Sequence, residues 1–372
     1  MKRLLFVLVF VLFALQSINA QEYRTYGKAR FLVLSSPESA NCYIVSRSGC
    51  FMLATVKGNS SESVGRVASA AVLWETFGTD VAPNIGDLIK SVSYNDGYIA
   101  FQTADTFKEG NAVIAAKDAE GNILWSWHIW LTDQPKGQVY YYNAGTIMDR
   151  NLGATSATPG DVGALGLLYQ WGRKDPFLGS SSISSSTLAK STITWPSAVS
   201  SDSNGTIAYA TANPTTFITY NDSNYDWYYT GSSSTDNTRW TTSEAQKSIY
   251  DPCPAGWRVP DGGSDGVWSK THALGSSFYH SYDRTNKGMD FSGKFGSAST
   301  IWYPASGYRS SDDGSLYGVG DSGFCWSASR SNDYAYSLYF GSRGYVGPSS
   351  NRNRAYGRSV RCLQVIDEVA EL

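Results

Sequence analysis

The run Ala112-Val113-Ile114-Ala115-Ala116-Lys117-Asp118-Ala119-Glu120-Gly121-Asn122-Ile123-Leu124-Trp125-Ser126-Trp127-His128-Ile129-Trp130-Leu131 decides how the first third of the chain folds. Five small and branched apolar residues lead into Asp118 to Asn122, a turn-forming cluster with Gly and Asn at its end. The following strand alternates, with Trp125, Trp127, Ile129 and Leu131 on one face and His128 on the more polar one. That pattern is a β-hairpin, and His128 reads as a surface or edge histidine.

Working outward, five more candidate strands precede the hairpin: Arg30–Leu34, Cys42–Val45, Phe51–Val56, Ala71–Trp74 and Tyr98–Gln102. Gly, Asn and Ser turns separate them, so residues 21–133 read as an Ig-like β-sandwich. The break falls at Thr132-Asp133-Gln134-Pro135-Lys136-Gly137.

Composition agrees with a β-rich chain. Of 372 residues, 17% are charged and 14% aromatic, with 36 Gly. Long helical bundles and disordered chains lack this balance. Thirty Lys and Arg against 32 Asp and Glu give a net charge of −2, which excludes a generally basic nucleic-acid binder.

Lys2 and Arg3 precede an apolar run from Leu4 to Leu15, and Ala20 ends the segment. Residues 1–20 therefore read as a cleavable signal peptide, the run being too short to span a bilayer. The mature chain is expected to be secreted or held at the cell surface, with no transmembrane segment. Export permits disulfides. Cys42 and Cys50 flank a turn-like stretch and suit a cross-strand bridge. A bridge between Cys253 and Cys362 would close a long loop and leave Cys325 as a buried thiol. The three histidines, His128, His272 and His280, are scattered, which argues against a zinc site.

Beyond residue 137 the loops lengthen. Ala164–Trp171 has helical apolar spacing, and a second short helix is expected after Pro260, including Val267-Trp268. Residues 178–250 form a Ser/Thr/Asn-rich tract punctuated by ten aromatics, which reads as an ordered insertion with exposed tips.

Six segments stand out in this second part: Met148-Asp149-Arg150-Asn151-Leu152-Gly153, Gly166–Arg173, Cys253-Pro254-Ala255-Gly256-Trp257-Arg258-Val259-Pro260, Trp302–Tyr308, Cys325-Trp326-Ser327-Ala328-Ser329 and Gly357-Arg358-Ser359-Val360-Arg361-Cys362. In this order they resemble the Fibrobacter succinogenes major paralogous domain, an exported bacterial family with a C-type-lectin-like fold. The resemblance covers about residues 138–364 and leaves 365–372 as a C-terminal tail. In chain order the whole also looks like accessory or tip proteins of Bacteroidetes fimbriae. The resemblance implies an α+β lectin-like domain carrying the 178–250 insertion. It further implies paired terminal strands and a disulfide from Cys253 to Cys362. Pro254 and Pro260 would seat Trp257 in the core, and Trp326 with Tyr334, Tyr336, Leu338 and Phe340 would supply central strands.

Motifs for nucleophilic, phosphate or zinc chemistry are absent from the sequence. The literal Gly318-Val319-Gly320-Asp321-Ser322-Gly323 precedes a strand rather than following one, so it reads as a turn-rich loop. No cofactor is expected, calcium apart. A calcium ion would fall to Asp312, Asp313 and Asp321, whose other reading is as solvated loop acids. Arg343, Arg352, Arg354, Arg358 and Arg361 either face solvent or offer an anionic glycan or partner a basic surface. The best binding candidates are Tyr225, Trp227, Tyr228, Tyr229 and Trp240, as a sugar- or protein-binding platform. The sequence thus predicts a non-enzymatic adhesion or recognition protein, with a glycan, a surface protein or fimbrial subunits as partners. Its rivals are a structural subunit of a surface fibre and, more remotely, a carbohydrate-active enzyme with a close carboxylate pair.

Overall fold

A computed structural model describes residues 21–232, 236–242, 246–271 and 276–365. Residues 1–20, where a signal peptide is expected, His272 and nearly all of the tail at 365–372 lie outside the described residues. The chain is mostly β, with 38% strand and 5% helix distributed over several sheets. Among the described residues no helix is long and apolar enough to cross a membrane.

The first nine strands are β1 (Tyr23–Tyr26), β2 (Ala29–Val33), β3 (Cys42–Val45), β4 (Cys50–Ala54), β5 (Ser69–Thr76), β6 (Ile89–Asn95), β7 (Tyr98–Thr103), β8 (Gly110–Lys117) and β9 (Ile123–Leu131). They form two sheets, ordered β1-β2-β4-β7-β6 and β3-β9-β8-β5. Pairing is antiparallel except for β2 with β4 and β3 with β9. Phe51, Leu53, Ile99 and Phe101 of the first sheet meet Ile114, Trp125, Trp127 and Ile129 of the second in one core. The β8–β9 turn is closed by Asp118, whose carboxylate accepts the Asn122 N–H at 2.7 Å, while Gly121 takes a φ of +87°. The edge strand β6 reads Ile-Lys-Ser-Val-Ser-Tyr-Asn and is largely exposed, so it carries little of the hydrophobic pattern that marks inner strands.

The outer face of the β9 sheet is not wet. Cys42, Trp74, Val113 and Trp130 continue into a second core with Tyr169, Trp171, Trp240, Trp326 and the Cys253–Cys362 disulfide. Backbone-directed bonds stitch this junction: Trp130 Nε1 to the Ala154 carbonyl at 3.0 Å and Asn111 Nδ2 to the Gly153 carbonyl at 2.8 Å. His128, on that same face, is 2% exposed and bonds Asn111 at 2.8 Å, so it is a buried histidine rather than a surface one. A strand whose two faces are both covered leaves no polar side.

In the remainder, β10 (Gly137–Tyr140) and β11 (Gly145–Met148) join Leu363–Gln364 and Trp257–Arg258 in a four-stranded sheet. Ile147 pairs with Leu363, bringing the two ends of this part side by side, and the Cys253–Cys362 disulfide lies next to the pairing. Trp257 is half-buried on this sheet rather than seated in the core. A second four-stranded sheet is built from Phe278–Tyr279, Tyr345–Asn353, Tyr334–Gly341 and Ser322–Ser331, in that spatial order. Its inner face, with Cys325, Leu338, Phe340 and Val346, packs on Trp268, Phe291 and Tyr303.

Two helical expectations diverge. Val267–Thr271 is helical. Ala164–Trp171 is not: a 3₁₀ turn at Val162–Ala164 ends at Gly166, whose φ is +73°, and Leu168 then bridges to Phe177. A Cβ at Gly166 would lie 2.7 Å from the Leu152 carbonyl oxygen, so the chain must turn there with a residue that has none. The 178–250 tract holds two short helices, Ser201–Asn204 and Ile207–Ala212, beside the parallel pair Val199–Ser200 and Ile218–Thr219.

Candidate functional site

The expected aromatic platform of the insertion is corrected by burial. Trp227 and Trp240 are 1% and 0% exposed. Each donates its indole N–H to a backbone carbonyl, Trp227 to Trp171 at 2.7 Å and Trp240 to Arg173 at 3.1 Å. The Arg239 guanidinium lies 4.8 Å from the Trp227 ring centre and 4.9 Å from that of Trp171, and Asp226 neutralises it. These rings hold the insertion to the body of the protein. Tyr228 stands edge-on to Trp227 and Tyr229 is half-buried. Tyr225 alone among the five is exposed, stacked between Tyr220 and Tyr334.

The C-terminal arginines divide. Arg354, Arg358 and Arg361 are at most 2% exposed and do not face solvent. Arg361 lies 3.6 Å over the Tyr303 ring and donates to the Trp302 carbonyl at 2.8 Å. Arg354 donates to the Asn332 carbonyl at 2.6 Å. Arg343 and Arg352 remain exposed.

Asp312 and Asp313 serve their own turn, while Asp321 ties its loop to Ser342. Asp312 accepts from the Ser311 hydroxyl, Asp313 from the Ser315 N–H at 2.8 Å, and Asp321 from the Ser342 hydroxyl. Among the described residues no three His, Cys, Asp or Glu side chains gather as a metal group. Cys42 and Cys50 are free thiols, not a bridge. They sit on opposing sheets, with Cys42 facing the second core and Cys50 the outside of the first sheet, and the sandwich core lies between them. Gly318 to Gly323 is a loop with left-handed Gly318 and Gly320 running into the strand Ser322–Ser331.

One cluster has the residue types of a hydrolytic site. The Ser126 hydroxyl, Lys174 ammonium and Asp175 carboxylate meet within hydrogen-bond reach, Lys174 Nζ lying 2.6 Å from Ser126 Oγ and 2.7 Å from Asp175 Oδ1. All three are at most 4% exposed, and Trp125 covers the ammonium at 4.6 Å. Burial pushes the Lys174 pKa down, and the group, closed off from solvent, serves to join β9 to residues 174–175.

A more open site lies on the outer face of the sheet Tyr345–Asn353/Tyr334–Gly341. Rings pave that face in sequence: Tyr279 to Tyr345 at 6.0 Å, Tyr345 to Tyr339 at 5.9 Å, Tyr339 to Phe324 at 5.1 Å, and Phe324 to Tyr308 at 5.4 Å. Tyr308 extends the row to Tyr317 at 6.2 Å and Tyr356 at 5.4 Å. Tyr279, Tyr317 and Tyr345 are 77%, 48% and 38% exposed. Beside Tyr339 and Tyr345 a cleft of about 300 Å³ is lined by Ser277, Gly347, Pro348, Ser349, Ser350, Asn351 and Arg352. The Tyr345 hydroxyl is 2.6 Å from that of Ser277, which fixes the ring's outer edge.

A β-bulge shapes this cleft. Ser337 pairs with Ser350 and Tyr339 with Gly347, so Pro348 and Ser349 oppose Leu338 alone. Proline cannot donate to a ladder, and a bulge is where a strand accommodates it. Below the floor, Arg358 Nη1 donates to Ser337 Oγ at 2.7 Å, and that hydroxyl donates to the Ser350 carbonyl at 3.2 Å. The guanidinium lies 4.2 Å from the Phe324 ring centre and 5.2 Å from that of Tyr356. Burial foremost, and then the charge of Arg352, push the Arg358 pKa down to about 9.

The sequence reading missed Tyr279, Tyr339 and Tyr345. Tyr339 is odd in a strand whose noted residues, Tyr334, Tyr336, Leu338 and Phe340, are all even, so it stands on the opposite face, and Tyr279 stands on a two-residue edge strand too short to show a period.

A larger cavity of about 610 Å³ lies near Pro37, Glu38, Asn59 and Lys247. No aromatic ring lines it, and Lys247 already donates to the Cys253 and Pro254 carbonyls at 2.9 Å. Its wall ends at Gln246 and Val365, beside segments outside the described residues.

Comparison with protein-family models, with curated proteins and with solved structures finds no match to the chain.

Proposed function

We propose that this is an exported, non-enzymatic cell-surface protein for adhesion or ligand recognition, carried in a fimbria-like assembly, and that its ligand is a glycan. On this reading the first nine strands are an Ig-like sandwich and residues 138–364 a C-type-lectin-like domain of the Fibrobacter succinogenes major paralogous type. The pairing of Ile147 with Leu363 and the adjacent disulfide are what such a closed domain needs. The observation that carries the ligand is the tyrosine-paved cleft. Flat exposed rings with hydroxyl edges offer a sugar both an apolar face and hydrogen-bonding groups at low entropy cost. Serines and Asn351 along the wall add polar contacts.

Glycan-array binding by the full chain, compared with Tyr345→Ala, tests the reading. Binding that falls about tenfold or more in the variant, roughly 1.4 kcal/mol, is expected. An array blank for the wild-type protein, with and without calcium, overturns it.

A further inference from the structure

We infer that the cleft takes an anionic glycan, with the acidic group of the sugar at Arg352 and a sugar ring against Tyr345. This rests on the glycan reading above and narrows it to a chemical class.

Among the described residues lining the cleft, Arg352 is the one charged side chain and none is a carboxylate. It donates from Nη1 to the Asn351 carbonyl at 2.8 Å and forms no ion pair among the described residues. Arg358 below the floor is likewise unpaired by any carboxylate among the described residues, and its buried Nε lacks a hydrogen-bond partner. Two guanidinium groups thus act on one site with no counter-charge. Burial chiefly, and the nearby charge of exposed Arg352 in addition, lower the Arg358 pKa. An anion held at Arg352 offsets that charge as well as forming its own charge-assisted bonds. A neutral sugar would gain the ring contacts alone. The row of tyrosines fixes where the sugar ring lies, because a planar ring beside Arg352 is supplied by Tyr345 and Tyr339. Carboxylate and sulfate share the required charge and oxygen acceptors, so both uronic and sulfated sugars fall within the class.

Titration calorimetry with short oligogalacturonate and with an uncharged galactan oligomer of equal length separates the possibilities. A sulfated and an unsulfated chondroitin oligomer form a second pair that distinguishes sulfate from carboxylate. The wild-type protein is expected to bind one acidic oligomer at least tenfold more tightly than its less charged counterpart, with the difference shrinking at high salt. Arg352→Gln should erase that preference, bringing the acidic oligomer to the affinity of its neutral counterpart, and Tyr345→Ala should weaken both. Equal binding of the charged and uncharged oligomers by the wild-type protein overturns the anionic assignment and leaves the glycan reading standing. A preference that survives in Arg352→Gln overturns the role of Arg352. Failure of every oligomer to bind, with the array also blank, overturns both readings.

Discussion

Arg239 and Asp226 meet face to face with neither side chain open to solvent: Nη1 donates to Oδ1 at 3.0 Å and Nη2 donates to Oδ2. Arg354 reaches the same carboxylate at 3.5 Å, so one acid serves two buried cations beneath Trp171 and Trp227.

Asp226→Ala would strand two buried guanidinium groups, and the expected cost is about 3–5 kcal/mol in urea unfolding. Replacing Arg239 with Met in the same chain should recover part of the loss, since one uncompensated charge then disappears. A single-variant cost below about 1 kcal/mol would show that the pair contributes little.

The shared core predicts cooperative unfolding. Asn41 accepts the Trp125 indole N–H at 3.0 Å and donates to the Ile249 and Asp251 carbonyls at 2.7 and 2.9 Å, tying the sandwich to the rest of the chain. Calorimetry of the full chain should give one transition, and Asn41→Ala should lower it by about 2–4 kcal/mol through lost and unsatisfied bonds. Two resolved transitions in the wild-type protein would contradict the coupling.

Thiol chemistry gives a third check. Cys50 is half-buried and should react with a maleimide in the folded protein, whereas buried Cys42 and Cys325 should react only on unfolding. Burial pushes the Cys325 thiol up to about 12, which suppresses its thiolate. The Cys253–Cys362 bond spans 109 residues, so Cys253→Ser with Cys362→Ser should destabilise by about 4–5 kcal/mol in the chain-entropy account. Mass spectrometry showing Cys42 joined to Cys50 would overturn the assignment.

Acid should weaken the fold through His128. Burial lowers its pKa to about 3 from 6.5, so between those values the unfolded chain holds a proton that the folded chain refuses. Stability attributable to this group is complete above about pH 6.5 and falls with pH towards 3, by at most about 1.4 kcal/mol per unit. His128→Gln should show a shallower decline over that window. Buried Asp251, whose pKa is raised by desolvation, is common to both proteins and drops out of the difference. Identical acid slopes would exclude the effect.

The β8–β9 hairpin was legible because Trp125, Trp127 and Ile129 alternate with smaller residues around an Asp118–Asn122 turn. His128 was misjudged because alternation reveals one buried face and is silent on whether the other is covered from a distance; Trp130 on that second face was the available sign. Trp227 and Trp240 fell in a polar tract whose burial depends on Asp226 and Arg239, a pairing that spacing alone does not reveal. The cleft escaped for a similar reason. Its rings come from separate strands, and the bulge that opens it lies at Pro348 and Ser349 of a strand whose partner register the sequence does not show.

The buried outer face of the β9 sheet also has a mechanical meaning. With Trp74 and Trp130 locked into the same core as Trp171 and Trp326, the junction at residues 132–137 offers no free pivot. A tug on whatever occupies the tyrosine cleft would therefore pass through this packing into the N-terminal sheets as through a strut. The force would be spread over many contacts instead of stretching a linker.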